Sequence, residues 1–150
     1  MTLINENLVV LGLEASSKED VLTKMASIAA QQGKVNDVQG YTTAVLHRES
    51  EYSTAVGFGV AIPHGKTDAV TEPFLMFASV EPIDWAALDG GLVDLVFLIG
   101  VPEKEAGSTH LKILAALSRK LMKSDFRDGL RAVKTPQDLL QLLKESDIGL

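Results

Sequence analysis

Three histidines, one well-placed arginine and no cysteine set what this chain of 150 residues can do chemically. His64 is the leading candidate nucleophile. An unperturbed imidazole with a pKa of about 6.5 keeps one nitrogen lone pair free at cellular pH, so it can accept a phosphoryl group and pass it on. His64 follows a period-two run from Thr54 to Pro63, in which Val56, Phe58, Val60 and Ile62 would share one face of an extended segment and Gly57, Gly59 and Ala61 the other. Pro63 cannot donate a ladder hydrogen bond, so strand pairing is expected to end there and to leave His64 at a strand terminus beside Gly65. The plain alternative is a solvent-exposed or capping histidine, and the residues alone leave both open.

His110 falls in the first turn of an expected helix, on a face with Leu114, Leu117 and Leu121. The helix dipole there disfavours a protonated imidazole, and the free amides favour an anion. A core-edge histidine bonded to a carbonyl is the alternative. Arg48 ends an earlier helix. Its planar fork suits a phosphoryl group, whereas a surface pair with Glu49 or Glu51 would give it no such role. His47, adjacent to Arg48, should face elsewhere on that helix and meet solvent.

Other chemistries find little support. No histidine pair has HExxH or HxxxH spacing, and the absence of cysteine removes disulfides, thiolate nucleophiles and Cys-based zinc sites. There is no GxxxxGK[ST] loop and no GxGxxG opening a helix, and Gly107-Ser108 lacks a hydrolase elbow's context. Asp84 and Asp89 read as turn formers. No metal and no cofactor are expected. A net charge of −6 argues against nucleic acid or anionic membrane as main partners. The N-terminus has no signal-peptide pattern, and the longest apolar run, Leu95 to Val101, is far too short to span a membrane. A soluble cytoplasmic domain is the expectation.

The elements that must position these residues follow from periodicity and caps. Leu8 to Leu13 reads as a strand. Ser17 with Asp20 opens a helix that Gly33 stops, and Asn36 or Asp37 caps a second. Phe74 to Val80 is a strand, with turn signals from Glu81 to Trp85 and at Asp89-Gly90-Gly91. Leu92 to Val101 reads as a strand buried on both faces. Ser108 or Thr109 then caps a helix, Asp125 to Ala132 forms a short one, and Thr135-Pro136 opens the last. With 46% hydrophobic residues and no linker or repeat, residues 1–150 form one α/β domain, a three-layer α/β/α sandwich around a small mixed sheet.

Several blocks together resemble the fructose/mannitol-type IIA domains of the bacterial phosphoenolpyruvate-dependent sugar phosphotransferase system. They are Arg48-Glu49, Ser53-Thr54, Gly57 to Gly65, Asp84-Trp85 with Leu88-Asp89-Gly90, Leu95 to Ile99, and His110-Leu111 followed by Leu114 and Leu117-Ser118. The resemblance implies that His64 is phosphorylated on Nε2, that His110 is the second active-site histidine and that Arg48 is the phosphate-site arginine. It further implies phospho-HPr as donor, a IIB cysteine as acceptor and a IIC membrane domain downstream. An apolar ring around His64, from Phe58 or from the loops near Pro102, would receive these partners. Ala55 departs from the glycine of many relatives. The nitrogen-type branch, which regulates other proteins by its phosphorylation state, is the alternative; the Asp84 to Gly90 block looks more like the fructose type.

Overall fold

The computed structural model describes residues 3–51, 53–87, 89–104 and 109–146; for Val56, Thr109, His110 and Ile113 it describes the backbone alone. Strand β1 (Val9–Leu13) leads to helices α1 (Lys18–Gln31) and α2 (Val38–Glu51). Short strands β2 (Ala55–Gly57), β3 (Val60–Ala61) and β4 (His64–Lys66) follow, then the long strands β5 (Phe74–Asp84) and β6 (Leu92–Val101). Helices α3 (Thr109–Leu121), α4 (Ser124–Ala132) and α5 (Pro136–Glu145) close the chain.

Local chemistry explains the helix starts. The Ser17 hydroxyl accepts from the Asp20 amide at 3.1 Å, and the Asp20 carboxylate accepts from the Ser16 amide at 3.0 Å. Asp37 accepts from the Gly40 amide at 3.0 Å, and Thr135 caps α5 through the Asp138 amide at 3.1 Å with Pro136 at the first helical position. Ser108, an alternative cap for α3, lies outside the described residues, as does Leu88.

The sheet is mixed, in the order β1-β5-β6-β3-β2, with β4 also paired to β6. Strands β5 and β6 run antiparallel, while β3 and β4 lie parallel along the other edge of β6. β6 is thus the hub of the sheet, and from Leu95 to Val101 every residue is buried. Phe77 and Phe97 face each other across the β5–β6 pair with ring centroids 4.9 Å apart, a tilted contact worth about 0.5–1.5 kcal/mol beyond its buried area. The helices cover both faces of the sheet, with α1 on β5, α2 on β4 and α5 on β1, giving the three-layer α/β/α sandwich.

Two expectations fail here. Strand β5 does not stop at Val80 but continues through Pro82 to Asp84, re-pairing Ile83 with Val93 and Asp84 with Leu92 after a register shift. The shift spares the ladder the donor that proline lacks. The run from Thr54 to Pro63 is likewise not one extended segment. Gly57, Phe58 and Gly59 all have positive φ (98°, 61° and 83°), so the chain reverses there and β2 pairs antiparallel with β3. A two-residue turn with both central residues left-handed is the preferred hairpin connection. Phe58 therefore does not continue the face of Val60 and Ile62. The glycines supply left-handed backbone rather than a bare face.

Candidate functional site

The position of His64 follows from β6. Val60 and Ala61 lie opposite Leu95 and Val96, and His64, Gly65 and Lys66 lie opposite Ile99, Gly100 and Val101, in one unbroken register. Pro63 therefore does not end the pairing. It forgoes one ladder donor, while its carbonyl still accepts from the Ile99 amide at 3.0 Å. His64 sits within a paired stretch. What opens that edge is the end of the β2 pairing: among the described residues, the last backbone bond from that side to this strand runs from the Ile62 amide to the carbonyl of Thr54, just before β2, at 3.1 Å. Next to it, Gly65 is needed for packing, because a Cβ there would lie 3.0 Å from Cγ2 of Val45 and 3.4 Å from Cε1 of Tyr41 in α2.

The half-buried His64 ring turns back along its own strand, with Nδ1 3.0 Å from the Ile62 carbonyl oxygen. A carbonyl oxygen only accepts, so Nδ1 carries the proton and Nε2 is left with the lone pair. One backbone contact therefore selects the tautomer and names the nitrogen that can attack an electrophile.

A cleft of about 520 Å³ opens beside this ring and is lined in part by Arg48, Ser53, Thr54, Asp89 and Ser118. The structure thus brings Arg48 and His64 to one cavity, where the arginine's planar fork suits phosphate oxygens. Position 110 lies in the first turn of α3, one turn before Leu114, which also lines this cleft. The His110 side chain lies outside the described residues. His47 is exposed, as its place on α2 suggested. Among the described residues no group of three His, Cys, Asp or Glu side chains could hold a metal ion.

A smaller cleft of about 200 Å³ also reaches His64 and is mostly apolar, with Ile99, Val101, Leu111 and Leu114 among its lining residues. The apolar surroundings of His64 thus come from β6 and α3. Phe58 stands instead at the hairpin tip, half exposed, beneath the Arg127 guanidinium 4.0 Å from its ring centroid. The tip is tied down on both sides. The Phe58 amide donates to Asp89 at 3.3 Å, and its carbonyl accepts from Arg131 at 2.7 Å. Arg131 also grips Asp94 with two hydrogen bonds of 2.8 and 2.9 Å, which hold its guanidinium pKa above the ordinary value.

Sequence reasoning missed Glu49. Its expected place is the surface, as a possible partner of Arg48, yet it is 6% exposed. Its carboxylate accepts from the Thr54 amide at 3.2 Å, from the Thr54 hydroxyl and from the indole N–H of Trp85 at 3.1 Å. The signal was available: a buried tryptophan needs an acceptor for its N–H, and Trp85 is fully buried. Asp84 and Asp89 do form turns, accepting from the Ala86 and Gly91 amides at 2.9 Å each. Asp89 additionally reaches the His64 cleft.

Comparison with known proteins places this arrangement. The family model described as "Phosphoenolpyruvate-dependent sugar phosphotransferase system, EIIA 2" matches residues 2–146. The chain belongs to that family of phosphotransferases, whose members carry phosphoryl groups between proteins. It is 42% identical over 131 residues to a fructose-specific EIIA component of Haloferax volcanii, covering 87% of this chain and 84% of that protein. It is 36% identical over 146 residues to a fructose-specific EIIABC component of Bacillus subtilis, covering 97% of this chain but 23% of that longer protein. The fold superposes on the crystal structure of the nitrogen regulatory protein IIA-Ntr from Neisseria meningitidis with a TM-score of 0.87 and 27% identity, over 94% of this chain and 96% of that one. No helix among the described residues is long and apolar enough to cross a membrane.

Proposed function

We propose that the chain is a cytoplasmic phosphoryl carrier for sugar uptake of the fructose type, with His64 as the phosphorylated residue. The observation that carries this is the Nδ1 contact to Ile62, which leaves Nε2 as nucleophile in the cleft that Arg48 also lines. Nε2 attacks the phosphorus of phospho-HPr in line. The donor's P–N bond breaks, its imidazole keeps the electron pair, and a phosphoramidate forms on His64. A IIB cysteine thiolate then attacks the same phosphorus, and the P–Nε2 bond breaks to restore the His64 lone pair. A IIC membrane domain consumes the group downstream.

Catalysis of a loose phosphoryl transfer is chiefly positioning and charge stabilisation. Arg48 offsets the equatorial oxygen charge, and His110, at the start of α3, acts as the second histidine of the site. The neighbouring apolar cleft lined by Leu111 and Leu114 suits a docking rim from which water is excluded. The similarity to a nitrogen regulatory protein favours one other reading, in which phosphorylation of the same His64 sets the binding of target proteins.

The test is transfer of labelled phosphoryl from phosphoenolpyruvate through enzyme I and HPr. Wild type is expected to gain acid-labile label, His64→Ala none, and His110→Ala to gain label but pass it on slowly. Equal labelling of His64→Ala would refute the assignment. Label that reaches no IIB partner would favour regulation over transport.

A further inference from the structure

Glu49 is a buried carboxylate that the transfer chemistry does not use. Three donors converge on it, and two belong to Thr54. Thr54 is itself buried, and its carbonyl accepts from the Ile62 amide at 3.1 Å. The carbonyl of Ile62 is the acceptor for His64 Nδ1 at 3.0 Å. A continuous path of hydrogen bonds thus leads from an anchored carboxylate in α2, through Thr54 just before β2, to the imidazole. On its other side the anchor holds Trp85, whose carbonyl accepts from the Ser53 hydroxyl at 3.2 Å. Ser53 and Thr54 are both walls of the His64 cleft.

Each link matters because beyond β2 this strand is laddered to β6 on one side, and among the described residues no strand pairs with its other side. Ile62 is followed by Pro63, so the orientation of its carbonyl depends on few bonds. The bond of its amide to Thr54 is one of them, and Thr54 can hold it only if Thr54 is fixed. A carboxylate accepting from both the amide and the hydroxyl of one residue fixes both backbone and rotamer, and charge-assisted bonds are the stronger kind. Buried and fully bonded, such a network rigidifies its surroundings.

We propose that Glu49 is a positioning residue for His64: through Thr54 and Ile62 it holds the carbonyl that selects the Nδ1–H tautomer and so keeps Nε2 available for phosphoryl transfer. This rests on the reading of His64 as nucleophile. Glu49 touches neither donor nor phosphorus and acts through other residues. Its replacement should therefore change the tautomer before any phosphoryl group arrives, and slow the chemical step without weakening donor binding.

The experiment uses ¹⁵N-histidine-labelled full-length protein, with the His64 signals assigned by their loss in His64→Ala. Unphosphorylated wild type is expected to show the Nδ1–H tautomer. Glu49→Gln should lower that population and reduce kcat for transfer from phospho-HPr about tenfold, with KM for HPr unchanged, as expected when alignment alone is lost. Thr54→Val, which removes the hydroxyl arm, should act in the same direction. The double variant should be no slower than Glu49→Gln alone, since both changes cut one path. Leu139→Ala, in the buried face of α5 and remote from the path, should lower the melting temperature and leave the tautomer as in wild type.

A wild-type tautomer and kcat in both Glu49→Gln and Thr54→Val would overturn the proposal. So would a tautomer shift of equal size in Leu139→Ala, which would mark general loosening. If Glu49→Gln does not fold, Thr54→Val alone decides. The tautomer is read without phosphorylation, so a failure of this proposal is distinguishable from labelling of His64→Ala, which would instead refute the function.

Discussion

Strands β5 and β6 and the strand that carries His64 lie side by side and are built by opposite means. The β5–β6 pair is long, apolar and buried over most of its length, and held by a ladder that is regular from Phe74 to Ser79, with Phe77 against Phe97. The His64 strand is short and left-handed at its turn, and besides its ladder to β6 it is held by side chains that reach backbone atoms. Asp89 and Arg131 secure the tip, and Glu49 secures the base. The first region supplies rigidity through burial, which is insensitive to detail. The second supplies geometry through individual polar bonds, where single atoms matter. The proposed carrier role needs both, since a nucleophilic His64 nitrogen must be fixed while its edge stays open.

The sharpest way to break the comparison is to damage each side and read stability against transfer. Phe97→Ala should cost about 3–5 kcal/mol of unfolding free energy by denaturant titration, because it leaves a cavity in the sheet's hub. The fraction that remains folded should still accept phosphoryl on His64. Gly59→Ala should cost less, about 1–2 kcal/mol, for a left-handed alanine. Its Cβ would lie 2.6 Å from Nη2 of Arg131 and 2.7 Å from Oδ1 of Asp94, so it also dislodges the tip. Transfer should fall more than stability predicts, which phospho-HPr kinetics would reveal.

Tyr41→Phe gives the smallest effect and sharpens the boundary between the regions. The Tyr41 hydroxyl donates to the Ile99 carbonyl at 2.7 Å beneath Gly65, and its loss should cost about 1 kcal/mol at neutral pH. Burial raises the phenol pKa well above its ordinary value of 10.0. A raised folded-state pKa means that its contribution is complete below pH 10.0 and is lost as pH rises through the folded value. The stability gap between wild type and Tyr41→Phe should therefore narrow in alkaline denaturation curves.

The same contrast explains what the sequence made legible. Leu92 to Val101 is a strand with the expected bounds, buried on both faces from Leu95 onward while Leu92 is exposed, and Ser17 and Thr135-Pro136 announce helix starts through local bonds. His64 and Arg48 were legible as candidates for phosphate chemistry, and the structure places both on one cleft. Most failures fall in the polar region, although β5 also runs past its expected end at Val80. Alternation alone did not show that Gly57-Phe58-Gly59 turns the chain, because a period-two pattern survives a tight hairpin. Pro63 suggested an end to pairing because a lost donor is local, whereas the parallel register along β6 is a long-range fact. Glu49 was hidden for the same reason, since its partner Trp85 is distant in sequence and a lone glutamate near a helix end reads as solvated.

The most direct test of the account is the identity of the phosphorylated atom. Phosphorus-coupled ¹⁵N NMR of the protein after transfer from phospho-HPr is expected to show one phosphohistidine, at Nε2 of His64, with Nδ1 still protonated. A phosphoryl group on Nδ1 of His64, or on any other residue, would contradict it.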